Sequence, residues 1–305
     1  MWILVDISYL AHRARHSLRG MVMEDIPTGI LFGFFDQLLS ICQTQWIQSN
    51  KVLLFGDSRR SYRMKVFPDY KRKRKENRTE EEKEQISIMY HQVDYLRRDI
   101  LPAIGFPVYG QKGLESDDLI AWTAGELGRR KEKGVIITSD GDLYQSINED
   151  VCWYDPQRGI RHNPTSFRRL KGVHPDDWGK VKAMGGCSSD GVPGISGVSE
   201  KSAIAFIRGE LPTHYKRYKA IDRALTSGSL SYWKSLTVLP HQKTKPVNIR
   251  PPVYNPSAFF SFCEEYGILS YLEDPGRSKW NRFFSEQWDI RKPRRRRHGR
   301  KRRSI

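Results

Sequence analysis

Trp2-Ile3-Leu4-Val5-Asp6 opens the chain with a short apolar run that ends in an aspartate. Two later stretches repeat the pattern: Val52-Leu53-Leu54-Phe55-Gly56-Asp57 and Val135-Ile136-Ile137-Thr138-Ser139-Asp140-Gly141-Asp142. Continuous runs of this length, rich in Val, Ile and Leu, are typical of strands buried on both faces of a parallel sheet. The chain is therefore expected to contain at least three central strands, each of which delivers a carboxylate where it ends.

Helical patterns separate these runs. We predict strands over 2–6, 51–55, 105–109 and 134–138, with helices over about 28–48, up to about 101 after the charged stretch 58–84, and over 116–132. Strands that alternate with helices form right-handed crossovers and a parallel sheet. The sequence therefore predicts an α/β fold with a central, mostly parallel sheet and helices on both faces.

The texture changes after about residue 165, where Gly and Pro punctuate short helical pieces. Residues 176–207 are predicted to form a helix, a glycine-rich turn and a second helix. The proline-rich stretch 240–256 is predicted to be a loop, and short helices are expected around 257–272 and 278–289. The second half is therefore expected to be helical.

Composition points to a polyanionic partner. The 305 residues carry a formal net charge of +17, and the pI of about 9.7 favours nucleic acid. Residues 291–303 hold ten Lys or Arg and no acid, which leaves +17 − 10 = +7 for the rest, and this tail is expected to be disordered. Four cysteines without a C-x-x-C pair, no signal peptide and no long apolar stretch favour a soluble intracellular protein without a membrane span.

The strand-end aspartates are expected to meet at one edge of the sheet, where ligands bind in open α/β folds. Glu115-Ser116-Asp117-Asp118 opens a helix close to the same edge. Ser116 as a helix cap, with acids in the first turn, is an alternative explanation of that segment, and Asp140-Gly141-Asp142 has a turn as its alternative. The conjunction of all these acids favours a hard divalent cation such as Mg²⁺, because closely spaced carboxylates repel each other without one.

A basic stretch follows the second strand. Nine Lys or Arg lie between Arg59 and Lys75 against one acid, Asp69, and three aromatic residues are interleaved with them. A solvated loop is one interpretation of such a charge run. Interleaved cations and aromatic rings favour contacts with the phosphates and bases of nucleic acid. The position directly after Asp57 predicts that the stretch overhangs the acidic edge.

The segment from Gly185 to Lys201 is dense in glycine. Gly194 and Gly197 allow a tight turn before a helix that begins near Ser199. Main-chain N–H groups at such a turn and helix start bind phosphate without reading bases. A purely structural helix–turn–helix is the alternative.

Together these motifs resemble the 5′-nucleases, a family of flap endonucleases, phage 5′–3′ exonucleases and the N-terminal nuclease domain of bacterial DNA polymerase I. Five motifs follow in family order over about residues 2–210. They are Val5-Asp6 with Arg13, Tyr62-Arg63 with Tyr70-Lys71 and Arg74, Gly113-Leu114-Glu115-Ser116-Asp117-Asp118, Thr138-Ser139-Asp140-Gly141-Asp142-Leu143, and a turn over 186–201 similar to the family's helix–three-turn–helix. The resemblance implies a PIN-like nuclease core with a helical arch.

The resemblance also implies roles for individual residues. One metal ion would be held by Asp57, Glu115, Asp117 and Asp140. A second would be held by Asp142 and Asp190, with Asp140 as a candidate shared ligand. Asp6 and Asp118 would orient waters or metal ligands, and Lys71 and Arg74 would contact the scissile phosphate. DNA would be bound by Arg13, Arg63, Tyr70, Gly194, Gly197 and Lys201. The implied cofactors are two Mg²⁺ ions, with Mn²⁺ as a substitute, and K⁺ is a candidate at the helix–three-turn–helix.

Three positions depart from the family pattern. Cys187 stands where a carboxylate for the second metal is expected, and a thiol is a poor ligand for Mg²⁺. Ile7 and Ser199 each replace a glycine. The first metal site is therefore expected to be complete, and the second to be one carboxylate short.

The resulting hypothesis is a monomeric, two-metal, structure-specific 5′-nuclease of replication or repair. Its substrates would be DNA with 5′ ends or 5′ flaps, and RNA in RNA–DNA hybrids is a further candidate. We expect a nuclease core over 1–165 with the arch at about 58–100, a helical DNA-binding region over 166–290 and a basic tail over 291–305. The alternatives are a branched-DNA binding protein with decayed activity and an RNA-cutting relative. The expected location is the cytoplasm of a bacterium or phage-infected cell, or the nucleus of a eukaryote.

Overall fold

Six strands form one sheet in the computed structural model, which describes residues 1–17, 22–23, 26–72 and 78–285, with side chains outside 16–27. The strands are β1 (Trp2–Asp6), β4 (Lys51–Phe55), β5 (Val108–Tyr109), β6 (Gly134–Ile137), β7 (Val151–Asp155) and β8 (Ile160–His162). Their order is β5-β4-β1-β6-β7-β8, and all neighbours are parallel except β7 and β8. The predicted mostly parallel sheet is confirmed. The two-residue strands β2 (Val22–Met23) and β3 (Ile26–Pro27) form a separate hairpin.

The helices of the first half are α1 (Ile7–Ser17), α2 (Gly29–Cys42), α3 (Tyr62–Val66), α4 (Glu80–Tyr95), α5 (Leu101–Ile104) and α6 (Ser116–Arg130). A π-helical turn, Leu96–Ile100, joins α4 to α5. The second half contains α7 (Pro164–Lys171), α8 (Pro175–Gly185), α9 (Glu200–Ile207), α10 (Lys216–Thr226), α11 (Leu230–Thr237), α12 (Pro256–Glu265), α13 (Leu269–Leu272) and α14 (Gly276–Phe284). Among the described helices, none has the length and apolar character needed to cross a membrane.

The central strand β1 shows how the sheet divides the core. Its side chains alternate between the faces, as the pleat of a strand requires. Ile3 and Val5 pack in one core with α1, α2 and α4, while Trp2 and Leu4 pack in a second core with α6, α8 and α9. Ile3, Leu4 and Val5 are fully buried. The helices therefore cover both faces of the sheet, as predicted.

The C-terminal helices α12 and α14 pack on the opposite face of the sheet from α8, the helix that precedes the glycine-rich turn. Phe259 of α12 and Trp280 of α14 pack on Phe35 of α2, in the first core. Val181 of α8 belongs to the second core, on the other face of the sheet. The predicted region 166–290 therefore contributes helices to both faces rather than forming one unit.

Several predicted boundaries are corrected. The predicted helix 28–48 ends at Cys42, and the strand over 105–109 is reduced to Val108–Tyr109. Helix α1 and strands β7 and β8 were not predicted. The loop over 240–256 is confirmed up to Asn255, since α12 begins at Pro256. Residues 73–77 of the predicted arch and the basic tail 291–305 lie outside the described residues.

Candidate metal and nucleic-acid site

Each strand-end aspartate accepts a hydrogen bond from a main-chain N–H at the start of a helical segment. Asp6 Oδ1 accepts from Ser8 N at 2.8 Å; Ser8 lies in the first turn of α1, which follows β1 directly. Asp57 Oδ1 accepts from Ser116 N at 2.8 Å, at the start of α6. Asp140 Oδ1 accepts from the N–H of Asp142 at 2.8 Å, in the 3₁₀ turn that follows β6. The same carboxylates therefore cap helical turns and line the carboxyl edge of the sheet, so the capping and the metal interpretations are compatible.

Asp6 and Asp117 each lie close enough to a second acid for its charge to raise their proton affinity. Burial, together with the charge of Asp57, raises the pKa of Asp6 from 3.8 to about 8. Burial, together with the charge of Asp140, raises the pKa of Asp117 well above its ordinary value. Carboxylates that repel each other in a partly buried site become favourable when a divalent cation neutralises them. The carboxylates of Asp57, Asp117 and Asp140, with Asp6 next to Asp57, are therefore oxygen donors of the kind that a hard divalent cation takes.

Glu115 connects this set to the basic stretch after β4. Lys71 Nζ lies 3.1 Å from Glu115 Oε2, and the main-chain N–H of Lys71 donates to the Asp190 carbonyl at 2.8 Å. Burial alone would lower the pKa of the Lys71 ammonium, but the charges of Glu115 and Asp190 outweigh it and raise the pKa above its ordinary value. Lys71 is therefore a permanent cation held at the acidic edge, where the sequence predicted it.

Tyr70 lies beneath the acids and not on a DNA-facing surface. Its side chain is 4% exposed, and its hydroxyl lies 3.0 Å from Glu115 Oε2 and 2.9 Å from Asp190 Oδ2. The hydroxyl has a single proton, so it donates to one carboxylate at a time. The predicted DNA contact of Tyr70 is corrected to a role in positioning Glu115 and Asp190.

Arg63 and Asp118 form a buried ion pair. The two guanidinium nitrogens lie 2.7 Å from the two carboxylate oxygens, and the residues are 2% and 0% exposed. Burial alone would raise the pKa of Asp118, but its hydrogen bonds from Arg63 outweigh burial and hold the pKa below its ordinary value. Asp118 also accepts from the main-chain N–H groups of Glu115 and His241, at 3.1 and 2.8 Å. The predicted DNA contact of Arg63 is therefore corrected to a structural role. Asp118 was predicted to orient waters or metal ligands, and it holds the main chain of the predicted ligand Glu115.

The second predicted metal position brings together Asp142, Cys187 and Asp190, each with a ligand atom within 4.8 Å of the others. Cys187 Sγ donates to Asp142 Oδ2 at 3.1 Å, and Lys182 Nζ lies 3.2 Å from Asp142 Oδ1. Burial, followed by the charges of Asp142 and Asp190, raises the pKa of the Cys187 thiol to about 12. A neutral thiol and an ammonium next to Asp142 do not suit Mg²⁺. This position therefore fits Mg²⁺ poorly, although its three ligand atoms lie within 4.8 Å of one another.

The glycine-rich turn joins α8 to α9. Gly194 has φ +69°, is buried, and a Cβ there would lie 2.4 Å from the main-chain nitrogen of Gly186. Gly197 has φ +75°, and a Cβ there would meet open space. Gly194 is therefore required by chain packing, whereas Gly197 and the exposed Lys201 lie where a phosphate backbone could reach them. Phosphate and K⁺ binding by this turn stays a prediction.

Of the remaining predicted residues, Arg13 lies within the described part of the chain and Arg74 does not. Arg13 lies on α1, partly buried, with its guanidinium 5.6 Å from the Tyr9 ring centroid, and its DNA contact stays a prediction. Arg74 lies outside the described residues. Lys182 was missed, although it follows Trp178 by four residues on α8 and so shares one helix face with it. Its ammonium lies 5.3 Å from the centroid of the Trp178 ring, and that ring's N–H donates to the Gly141 carbonyl next to Asp142.

A mostly parallel sheet with an acidic carboxyl edge, covered by helices on both faces, defines an α/β fold of the kind predicted for a nuclease core. Within that class, the chain belongs to the 5′–3′ exonuclease family, because residues 1–171 match its N-terminal resolvase-like domain.

Individual relatives agree with this family. The chain is 28% identical over 212 residues to DNA polymerase I of Mycobacterium bovis, a match that covers 67% of this chain and 22% of that protein. It is 23% identical over 261 residues to the 5′-3′ exonuclease of Buchnera aphidicola, covering 85% of this chain and 83% of that one. A solved structure of the bacteriophage T5 D15 flap endonuclease with DNA and metal ions has 20% identity and a TM-score of 0.65, covering 78% of this chain and 89% of that one. The chain thus spans about a fifth of the first curated relatives, the DNA polymerases I.

Proposed function

We propose that this chain is a Mg²⁺-dependent 5′-nuclease that hydrolyses phosphodiester bonds of DNA at 5′ ends or 5′ flaps. One observation carries the proposal. Acids delivered by β1, β4, β6 and the start of α6 share one edge of the sheet, and the Lys71 ammonium lies 3.1 Å from one of them, Glu115. An acidic cluster suits a divalent cation, and an adjacent lysine suits the phosphate that such a cation attracts.

The chain's own residues would then share the work of hydrolysis. A bound divalent cation supplies positive charge that stabilises the negative charge developing on the phosphate. The cation would be held by Asp57, Glu115, Asp117 and Asp140. Asp6 would orient the start of α1, where Ser8 contacts the Asp57 carboxylate. Lys71 would also stabilise this developing charge, because its ammonium stays protonated. Tyr70 would keep Glu115 and Asp190 in place through its single hydroxyl proton.

DNA binding is supported by cations beyond the acidic edge. Lys201 at the start of α9 is exposed, and α10 exposes further cations between its ends. These cations of α10 are Lys216, Arg217, Lys219 and Arg223. Each cation that neutralises a phosphate makes binding weaker as salt is raised. The logarithm of the binding constant falls with the logarithm of the salt concentration, with a slope of about −0.9 per contact on duplex DNA. A strongly salt-dependent, sequence-independent affinity is therefore expected.

A labelled 5′-flap assay with and without Mg²⁺ tests the proposal, and Mn²⁺ is expected to substitute. Asp140→Asn is expected to lower turnover by several orders of magnitude while flap binding in Ca²⁺ persists. The matched control is Asp222→Asn, an exposed acid on α10 remote from the strand ends. Near-normal cleavage by Asp140→Asn would contradict the proposal. RNA flaps and RNA–DNA hybrids in parallel lanes decide which strand chemistry is cut.

A branched-DNA binding protein without turnover is the second candidate, and Cys187 favours it. The thiol and the neighbouring Lys182 leave the second metal position unsuited to Mg²⁺. Tight flap binding with no Mg²⁺-dependent product, in the wild-type protein at saturating enzyme, would support this candidate over the nuclease. Product formation at any measurable Mg²⁺-dependent rate would exclude it.

A further inference from the structure

Arg97 reaches from the π-helical turn after α4 to the loop that carries Asp57. Its Nη1 donates to the Asp57 carbonyl at 2.7 Å. The turn Leu96–Ile100 inserts an extra residue into an otherwise helical stretch, which rotates the following side chains relative to α4. Such π-turns are frequent at functional sites because they redirect one side chain without ending the helix.

Two glycines make room for this guanidinium. A Cβ at Gly56 would lie 2.8 Å from Arg97 Nε, and a Cβ at Gly110 would lie 2.1 Å from Arg97 Nη2. Neither glycine has a left-handed φ, so a side chain at either position would have to displace the arginine and would not strain the main chain. Gly56 follows β4 and Gly110 follows β5. The guanidinium therefore lies across the carboxyl ends of two adjacent strands.

Asp57 needs such an anchor more than its neighbours do. It is exposed, whereas Glu115 is buried, and its carboxylate faces repulsion from the nearby Asp6. The hydrogen bond from Ser116 N at 2.8 Å fixes the side chain, and a longer contact of 3.4 Å joins it to Ser8 Oγ. The main chain beside Asp57 is tied by Gly56 N, which donates to the Tyr109 carbonyl at 2.9 Å, and by Ser58 N, which donates to the Leu114 carbonyl at 2.9 Å. The bond from Arg97 adds a third tie, at the Asp57 carbonyl itself, before the loop continues into exposed residues.

A second contact ties the same loop to the same helix. Arg59 forms an ion pair with Asp94, one turn before Arg97. Arg59 is 82% exposed in its side chain, so this pair contributes little by itself. Arg97 is only partly exposed and donates to a main-chain carbonyl, which fixes the peptide that follows Asp57.

We infer that Arg97 is a positioning residue, which holds the Asp57 loop so that the carboxylate stays with the other metal-binding acids. The inference rests on the proposed function, since it assigns Asp57 to the cation. The arginine, in the turn after α4, also links that helix to the acidic edge; α4 follows the basic stretch in the sequence. A movement of α4 would therefore reach the Asp57 loop through Arg97 and through the weaker Arg59–Asp94 pair.

Removal of a residue that orients a metal ligand lowers metal affinity or activity by roughly 10–100-fold. Arg97→Gln is expected to raise the Mg²⁺ concentration for half-maximal cleavage and to weaken Mn²⁺ binding, measured calorimetrically without DNA, by a factor in that range. Flap affinity in Ca²⁺ should stay unchanged. Arg97→Lys should recover part of both losses, because an ammonium can still donate to the Asp57 carbonyl. Arg98→Gln is the control, since Arg98 is the exposed neighbour.

Gly110→Ala provides an independent variant that keeps the charge of Arg97. The added methyl displaces the guanidinium, so this variant should reproduce the loss in Mn²⁺ binding, and should add nothing further in an Arg97→Gln background. Equal Mn²⁺ affinity in the wild type, Arg97→Gln and Gly110→Ala would overturn the inference. A loss confined to flap affinity would also overturn it, since Arg97 would then be a phosphate contact. Failure of the proposed function has a separate signature: the wild type itself would neither cleave the flap nor bind Mn²⁺.

Discussion

The buried pair of Arg63 and Asp118 offers the sharpest test of the corrected site. Asp118→Asn keeps the shape of the side chain but turns one carboxylate oxygen into an NH₂ group, which faces a donor instead of accepting from it. Arg63 would retain the Leu236 carbonyl at 3.0 Å and a long contact of 3.5 Å to the Val238 carbonyl. Its charge would remain 2% exposed without a bidentate partner.

The magnitude follows from these contacts. Hydrogen bonds to charged groups are worth about 1.5–3 kcal/mol each, and breaking a buried ion pair costs about 3–5 kcal/mol. A loss of about 4 kcal/mol in the free energy of unfolding corresponds to a fall in Tm of roughly 6 °C for a chain of this size. The loss for Arg63→Met should be smaller, because Asp118 still accepts from two main-chain N–H groups. Replacing both residues, Arg63→Met with Asp118→Leu, should recover part of the stability, because neither member of the pair is then left as a buried charge without its partner.

Urea denaturation followed by circular dichroism measures the free energy of unfolding, and flap binding in Ca²⁺ is measured on the same samples. Together with the single variants Arg63→Met and Asp118→Leu, the double variant completes a double-mutant cycle that isolates the coupling between the two side chains. Arg63→Met with wild-type stability and a large loss in flap affinity would refute this reasoning. In that case Arg63 would be the DNA contact that the sequence suggested.

Four further predictions follow from the site. Because the pKa of Asp6 is raised from 3.8 to about 8, this group stabilises the metal-free fold most below about pH 4 and progressively less up to about pH 8. Asp6→Asn should therefore reduce the fall of Tm with rising pH, measured in thermal melts with EDTA, and an unchanged fall would contradict this prediction. Cys187→Asp should lower the Mg²⁺ concentration for half-maximal cleavage, whereas superimposable titrations would place the residue outside the metal shell. Lys71→Ala should lower single-turnover cleavage far more than flap affinity; equal losses would mark an ordinary phosphate contact. Deletion of 291–305 should flatten the salt dependence of binding for all sequences, and a constant slope would show that the tail does not contact DNA.

Strands β1, β4 and β6 could be predicted because each is a continuous buried apolar run; β7 (Val151–Asp155) is also largely such a run, yet it was not predicted. Strand β8 carries Ile160, Arg161 and His162, whose side chains are exposed or only partly buried, so no such run marks it. It is held by antiparallel pairing with β7, an interaction that the local sequence does not encode. Helix α1 has buried residues at Ile7, Leu10, Ala11 and Ala14, a helical period that the intervening His and Arg residues obscure.

The acids of the site could be predicted because the fold brings strand ends together wherever the strands are parallel. The partners of those acids could not. Arg63 meets Asp118 across 55 positions, and His241 reaches the same carboxylate across 123. Arg97 meets Asp57 only because a π-turn redirects it. Whether a cation binds DNA or neutralises a buried acid depends on such distant contacts, and a basic stretch looks the same in both cases.

The packing of α12 and α14 has a consequence for synthesis on the ribosome. Phe35 belongs to a helix complete by residue 42, yet its partners Phe259 and Trp280 are made more than 200 residues later. Asn50, next to β4, likewise waits for the Phe283 carbonyl, to which it donates at 2.9 Å. During translation, the part of the first core around Phe35 of α2 therefore stays uncovered until the last described helix emerges. A nascent chain stalled shortly after α11 would hold the acidic edge but expose Phe35, a surface that chaperones and proteases recognise.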